Sequence, residues 1–276
     1  MKKILFGLWF FFLLSVHGVL FAQDDKYEIS TDRPSISFSA FTVPKGIFLA
    51  ETGYYWQTDK TELRADSTFR NNFSTLPNIS LRYGLFENIE IRIGWDYRRS
   101  NNITEQRIGN VTQRLESAVQ GVGALTLGTK IKMLENKGAI PQMSFLGAIQ
   151  LPAIADKNFK TDYIGQYFRF LCQNQLNDKF FLFYNLGADF GASPNGKPQT
   201  TGAYTFALGS SLASGLTGFV ELFGFLPEHS ADYHSIDAGL VYIINKQFQF
   251  DTSFGYGLTQ YAPDYFFNVG FSFYVK

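Results

Sequence analysis

From position 46 to the last residues the chain alternates apolar and polar side chains, in runs about ten to fifteen residues long. The clearest run is Ile89-Glu90-Ile91-Arg92-Ile93-Gly94-Trp95-Asp96-Tyr97-Arg98. Successive side chains of a strand point to opposite faces, so Ile89, Ile91, Ile93, Trp95 and Tyr97 share one face and the charged residues share the other. One face suits lipid or a packed core; the other suits water. The apolar face turns aromatic at one end, as a strand does where it crosses a membrane interface.

The same test predicts about twelve strands, over 46–57, 73–83, 89–99, 120–133, 139–152, 162–175, 179–190, 202–213, 216–226, 233–243, 247–258 and 264–275, each near the length a tilted strand needs to cross hydrocarbon. The connections alternate in character. Those at 58–72, 100–119, 153–161, 191–201, 227–232 and 259–263 are longer or polar; those at 84–88, 134–138, 176–178, 214–215 and 244–246 are tight. This predicts an all-β fold: an antiparallel transmembrane β-barrel of about 12 strands, with short periplasmic turns and longer extracellular loops. An even strand count places both ends of the barrel on the periplasmic side. A soluble sandwich or jelly roll also alternates, but its strands typically run about five or six residues.

The polar face assigns candidate lumen-lining residues Glu51, Arg82, Glu90, Arg92, Asp96, Lys130, Glu221 and Asp237, with Lys132, Arg169, Asp189 and Asp251 in the same set. A Lys or Arg turned to lipid at mid-depth would cost about 2–4 kcal/mol, which favours an inward orientation. Glu90 and Arg92 with Asp96 and Arg98 make a candidate charged constriction; the alternative is a ladder of salt bridges that stiffens the barrel. Phe219, Phe223 and Phe225 would narrow the lumen further. The last run turns Phe267, Val269, Phe271, Phe273 and Val275 outward, an aromatic pattern suited to recognition by outer-membrane insertion machinery, although the chain ends in Lys276.

The N-terminus reads differently. Lys2 and Lys3 precede an apolar run from Ile4 to Val16, and Ala22 stands before Gln23. This order predicts a signal peptide over 1–22, the alternative being an uncleaved anchor. No cysteine lies near the cleavage region, which excludes a lipoprotein anchor. Residues 23–45 then form an N-terminal periplasmic segment, either a partial plug of the barrel mouth or a frayed tail. The barrel proper is 46–276.

Composition adds exclusions. Lys plus Arg and Asp plus Glu both total 24, so no basic excess points to nucleic acid. The single cysteine, Cys172, forbids an intrachain disulfide framework and a Cys-rich metal cluster. His229 and His234 have no partner spacing suited to a metal, and no Gly-x-Ser-x-Gly elbow is present. His234 and Ser235 are adjacent in a strand and point to opposite faces, so they do not form a nucleophile–base pair. Neither a cofactor nor an enzymatic activity is expected, an outer-membrane lipid hydrolase being the enzyme alternative.

Thr31-Asp32-Arg33-Pro34, followed by Val43-Pro44-Lys45-Gly46 and then Glu51-Thr52-Gly53, resembles the opening of the phenol-degradation meta-pathway outer-membrane family. Leu127-Gly128-Thr129-Lys130, Phe219-Val220-Glu221-Leu222, Asp237-Ala238-Gly239-Leu240 and Pro263-Asp264-Tyr265-Phe266 extend the similarity; Ala124 departs from it, where the family pattern has an acidic residue. The resemblance implies a bacterial outer-membrane barrel surrounded by outer-membrane lipid. Its expected function is a channel or transporter for passive passage of small solutes, hydrophobic or aromatic compounds among them. The solute itself is not legible. A structural or adhesive barrel, whose long loops bind a partner, is the alternative.

Overall fold

In a computed structural model, which describes residues 30–275 except 65, 194 and 195, the alternating runs form one closed sheet. The predicted signal peptide lies outside the described residues. In chain order the strands are β1 Phe48–Arg64, β2 Ser67–Phe86, β3 Ile89–Ile108, β4 Val111–Val122, β5 Leu125–Leu134, β6 Gln142–Leu151 and β7 Gly165–Gln175. They continue as β8 Phe180–Ala192, β9 Pro198–Ala213, β10 Leu216–Pro227, β11 Tyr233–Asn245, β12 Phe248–Gly257 and β13 Tyr265–Val275. All pairings are antiparallel. β3 carries β5 along Ile89–Gly94 and β4 along Tyr97–Ile108. β4 and β5 are therefore two lengths of one stave, interrupted at Gly123 and Ala124, and thirteen strands make twelve staves. The ring closes where β1 meets β13, from Phe48↔Val275 to Thr58↔Tyr265. Closure leaves no open edge in the hydrocarbon region, where an unpaired backbone group costs several kcal/mol.

The alternation read from the sequence is the alternation of burial. In β10, Phe219, Glu221 and Phe223 are buried, whereas the intervening Val220 and Leu222 are 54% and 39% exposed. Ile91, Ile93, Phe168, Phe170, Leu186, Phe206, Leu208 and Phe254 are likewise on the outside. In a bilayer those side chains meet acyl chains, and the chain is an outer-membrane barrel.

Two predicted loops are corrected. Most of 58–72 and 100–119 is strand: β1 and β2 are paired out to Arg64↔Ser67, and β3 and β4 out to Ile108↔Val111, with Gly109 at φ 63° in the turn. Beyond the hydrocarbon both faces meet water, so hydrophobic alternation fades while the ladder continues. Polar cross-strand contacts replace it: the Asn71 amide donates to Ser100 Oγ at 2.9 Å and to Asn102 Oδ1 at 2.6 Å. The tips of β1 to β4 form a four-stranded extension. Among the described residues β4 has a ladder partner, β3, on one edge only.

Candidate functional site

Residues 30–45 make one bridge to the sheet, Lys45 to Gly84, and otherwise run through the lumen. Their composition suits the path: Ser30, Thr31, Ser35, Ser37, Ser39 and Thr42 break any apolar period, and Pro34 and Pro44 prevent continuous ladder pairing. Irregular backbone at membrane depth needs hydrogen-bond partners from the surrounding protein. Here inward-facing side chains supply them. The backbone N–H groups of Ile36 and Ser37 donate to Glu221 at 2.8 and 2.7 Å, and that of Phe38 donates to Asn185 at 2.7 Å. Those of Asp32 and Val43 donate to Glu51 at 2.8 Å and Glu90 at 2.7 Å. Ser37 shares a hydroxyl contact with Thr205, and Ser144 donates to the Ala40 carbonyl. Partners thus come from staves all round the ring, mostly in the half nearer the short turns.

The centre of the arrangement is Asp32. Its carboxylate meets Arg92 at 2.8 Å, Lys130 at 3.1 Å and Arg82 at 3.3 Å, and it accepts the Ser39 N–H at 2.9 Å. Arg82 grips Glu90 through Nε and Nη2, both at 2.9 Å, and lies 3.5 Å from Glu51. Lys130 also donates to the Ser39 and Phe41 carbonyls at 2.8 and 3.2 Å. Next along the segment, Arg33 pairs with Asp251 at 3.1 Å and donates to Asn268 at 2.7 Å. It fits because Gly53 and Gly270 face each other across β1 and β13, and a Cβ on either would collide with its guanidinium.

Of the sequence-predicted residues, Glu51, Arg82, Glu90, Arg92 and Lys130 gather on Asp32. Glu221 holds the segment from another side, and Asp237 is its cross-strand neighbour. Asp96 stands apart, paired with Arg98 of its own strand at 2.8 Å, so the four-residue group of Glu90, Arg92, Asp96 and Arg98 splits in two. The sequence reading missed Asn185, Thr205, Ser144 and Asn268 as partners. Their only signal was an inward position in an alternating run. Among the described residues no group of three or more His, Cys, Asp or Glu is placed to hold a metal ion. His234 Nδ1 lies 2.9 Å from the Tyr204 hydroxyl, and Cys172 is a buried free thiol.

The segment leaves space on both sides. Toward the short turns a cavity of about 160 Å³ is lined by Thr31, Arg33, Ser35, Phe181, Phe219 and Gln249. Toward the longer loops a cavity of about 430 Å³ opens above Phe38, against Tyr167, Arg169 and Asp189.

The sequence profile of the family described as "MetA-pathway of phenol degradation" matches residues 31–275. Among solved structures, an outer-membrane channel from Pseudomonas putida F1 is 11% identical with a TM-score of 0.63, over 92% of this chain and 100% of that one. The transport unit of an autotransporter from Escherichia coli is 10% identical with a TM-score of 0.56, over 90% of this chain and 93% of that one. At these identities the likeness is one of fold. No curated protein sequence is significantly similar to the chain.

Proposed function

The chain belongs to the phenol-degradation MetA-pathway family, and we propose that it is a passive outer-membrane channel for small solutes, narrowed by its own residues 30–45. One observation carries this reading. The segment crosses a polar lumen on paired contacts, with Glu221, Asn185, Glu90 and Asp32 as anchors, and a cavity lies on either side of it. A filled hydrophobic interior would have no need of such groups. The family description adds hydrophobic and aromatic compounds to the solutes worth testing. Outer-membrane lipid and the insertion machinery are the other partners of this reading, the aromatic strand β13 being the element the machinery reads.

Planar-bilayer recording of refolded residues 23–276 tests it. Small, discrete conductance steps are expected, and larger ones after deletion of residues 24–40. Folded protein without steps would refute the channel; an unchanged conductance in the deletion would refute the plug. The four-stranded extension, whose outer strand β4 has a ladder partner on one edge only among the described residues, favours a second reading, an adhesive barrel. A variant lacking residues 101–118 that conducts normally but no longer binds cells would support that role.

A further inference from the structure

We propose that the loop-side cavity is a binding subsite for a neutral, polyhydroxylated ring solute of monosaccharide size. The inference deepens the channel reading and rests on it. At about 430 Å³ the cavity falls within the roughly 300–1,000 Å³ typical of small-molecule sites. Its floor is Phe38 of the inserted segment, and its walls include Gln150 of β6, Tyr167 and Arg169 of β7, Asp189 of β8 and Gln199 and Thr201 of β9, so a solute arriving through the longer loops meets it before the segment.

Charge narrows the ligand class. The one ion pair on the wall, Arg169 to Asp189 at 2.7 Å, is self-neutralising, and a charged solute would have to compete with one of its members. The remaining polar lining includes Gln150, Gln199 and Thr201. Carboxamides and hydroxyls offer donors and acceptors together, as a sugar hydroxyl does. The Gln199 Oε1 is buried without a hydrogen-bond partner, while its Nε2 makes a long contact of 3.4 Å to Thr201 Oγ1. The carboxamide therefore has hydrogen-bonding capacity that the protein itself leaves unused. An aromatic ring with one hydroxyl would displace water from several such groups and replace few of the hydrogen bonds, which disfavours it. The apolar contribution is limited and planar. Phe38 and Tyr167 lie parallel, with centroids 6.3 Å apart and 4° between planes, and Arg92 and Arg169 stand over the two rings at 5.2 and 5.7 Å.

Saturation-transfer NMR on refolded residues 23–276 reads binding without any current, with D-glucose as the probe and phenol as the comparison. Glucose is expected to receive saturation from the folded protein and phenol to compete poorly. Gln199→Leu and Thr201→Val, each checked for heat-shifted gel mobility as a sign of a folded barrel, should weaken glucose about tenfold. No transfer to glucose from folded wild type overturns the proposal. So does equal transfer in both variants, or tighter binding of phenol. Glucose binding by a protein that passes no current would retain the site and remove the channel, so the two failures are separable.

Discussion

Asp32→Ala is the most direct test of how the segment is held. The carboxylate serves three cations, Arg92 at 2.8 Å, Lys130 at 3.1 Å and Arg82 at 3.3 Å, and caps the Ser39 N–H at 2.9 Å. Removing one member of a buried ion pair costs about 3–5 kcal/mol. Glu90 and Glu51 remain to share the cations, so the lower figure applies: about 3 kcal/mol, or roughly a hundredfold shift from the segment-in to the segment-out state. Single-channel recording should then show a wide conductance state far more often than wild type does. A variant with wild-type conductance and an unchanged unfolding midpoint would refute the reasoning.

Three further substitutions test separate parts of the structure. Arg82→Met leaves Asp32, Glu51 and Glu90 short of a fully buried cation and should lower stability by about 3–5 kcal/mol in urea unfolding from lipid vesicles; wild-type stability would count against the network. Gly84→Ala places a Cβ against the Pro44 carbonyl where the segment meets β2, an overpacking expected to cost about 1–3 kcal/mol and to show as a lower melting temperature. Leu186→Arg puts a charge at a lipid-facing position that is 63% exposed, midway along β8, and should destabilise the protein by about 2–4 kcal/mol in vesicle unfolding. A neutral result there would mean that this face does not meet hydrocarbon.

The staves were legible because lipid and lumen make opposite demands on successive side chains, over runs of about ten residues, longer than the five or six of a typical soluble strand. Where the demand lapses, so does the signal: around Asn71, Ser100 and Asn102 both faces of the sheet are polar, and strand reads as loop. The inward charges were legible from the cost of facing lipid, but their grouping was not. Grouping depends on register, which sets Arg82 against Arg92 across β2 and β3, and Glu90 against Lys130 across β3 and β5. Asp32-Arg33-Pro34 stood out within the 23–45 segment read as a partial plug or a frayed tail. Its path was hidden because its acceptors are remote in the chain: Glu221 lies 185 residues beyond Ile36, and Asn185 lies 147 beyond Phe38.

Two buried rungs of the ring pair like charges directly, Arg82 with Arg92 and Glu221 with Asp237. Such pairs are destabilising in an isolated sheet. Here the segment relieves strain at both: Asp32 reaches both arginines, and the Ile36 and Ser37 N–H groups meet Glu221. The inner wall is thus built as a receptor for residues 30–45. It follows that a barrel lacking residues 24–40 should be wider but less stable, and that the missing piece should bind back. A synthetic peptide of residues 30–45, added on the short-turn side of the deletion barrel in a planar bilayer, should restore the narrow state in a concentration-dependent way. The Asp32→Ala peptide should require roughly a hundredfold more, from the same loss of about 3 kcal/mol. Equal potency of the two peptides would show that the segment fills the lumen by bulk alone and that its central ion cluster does not hold it.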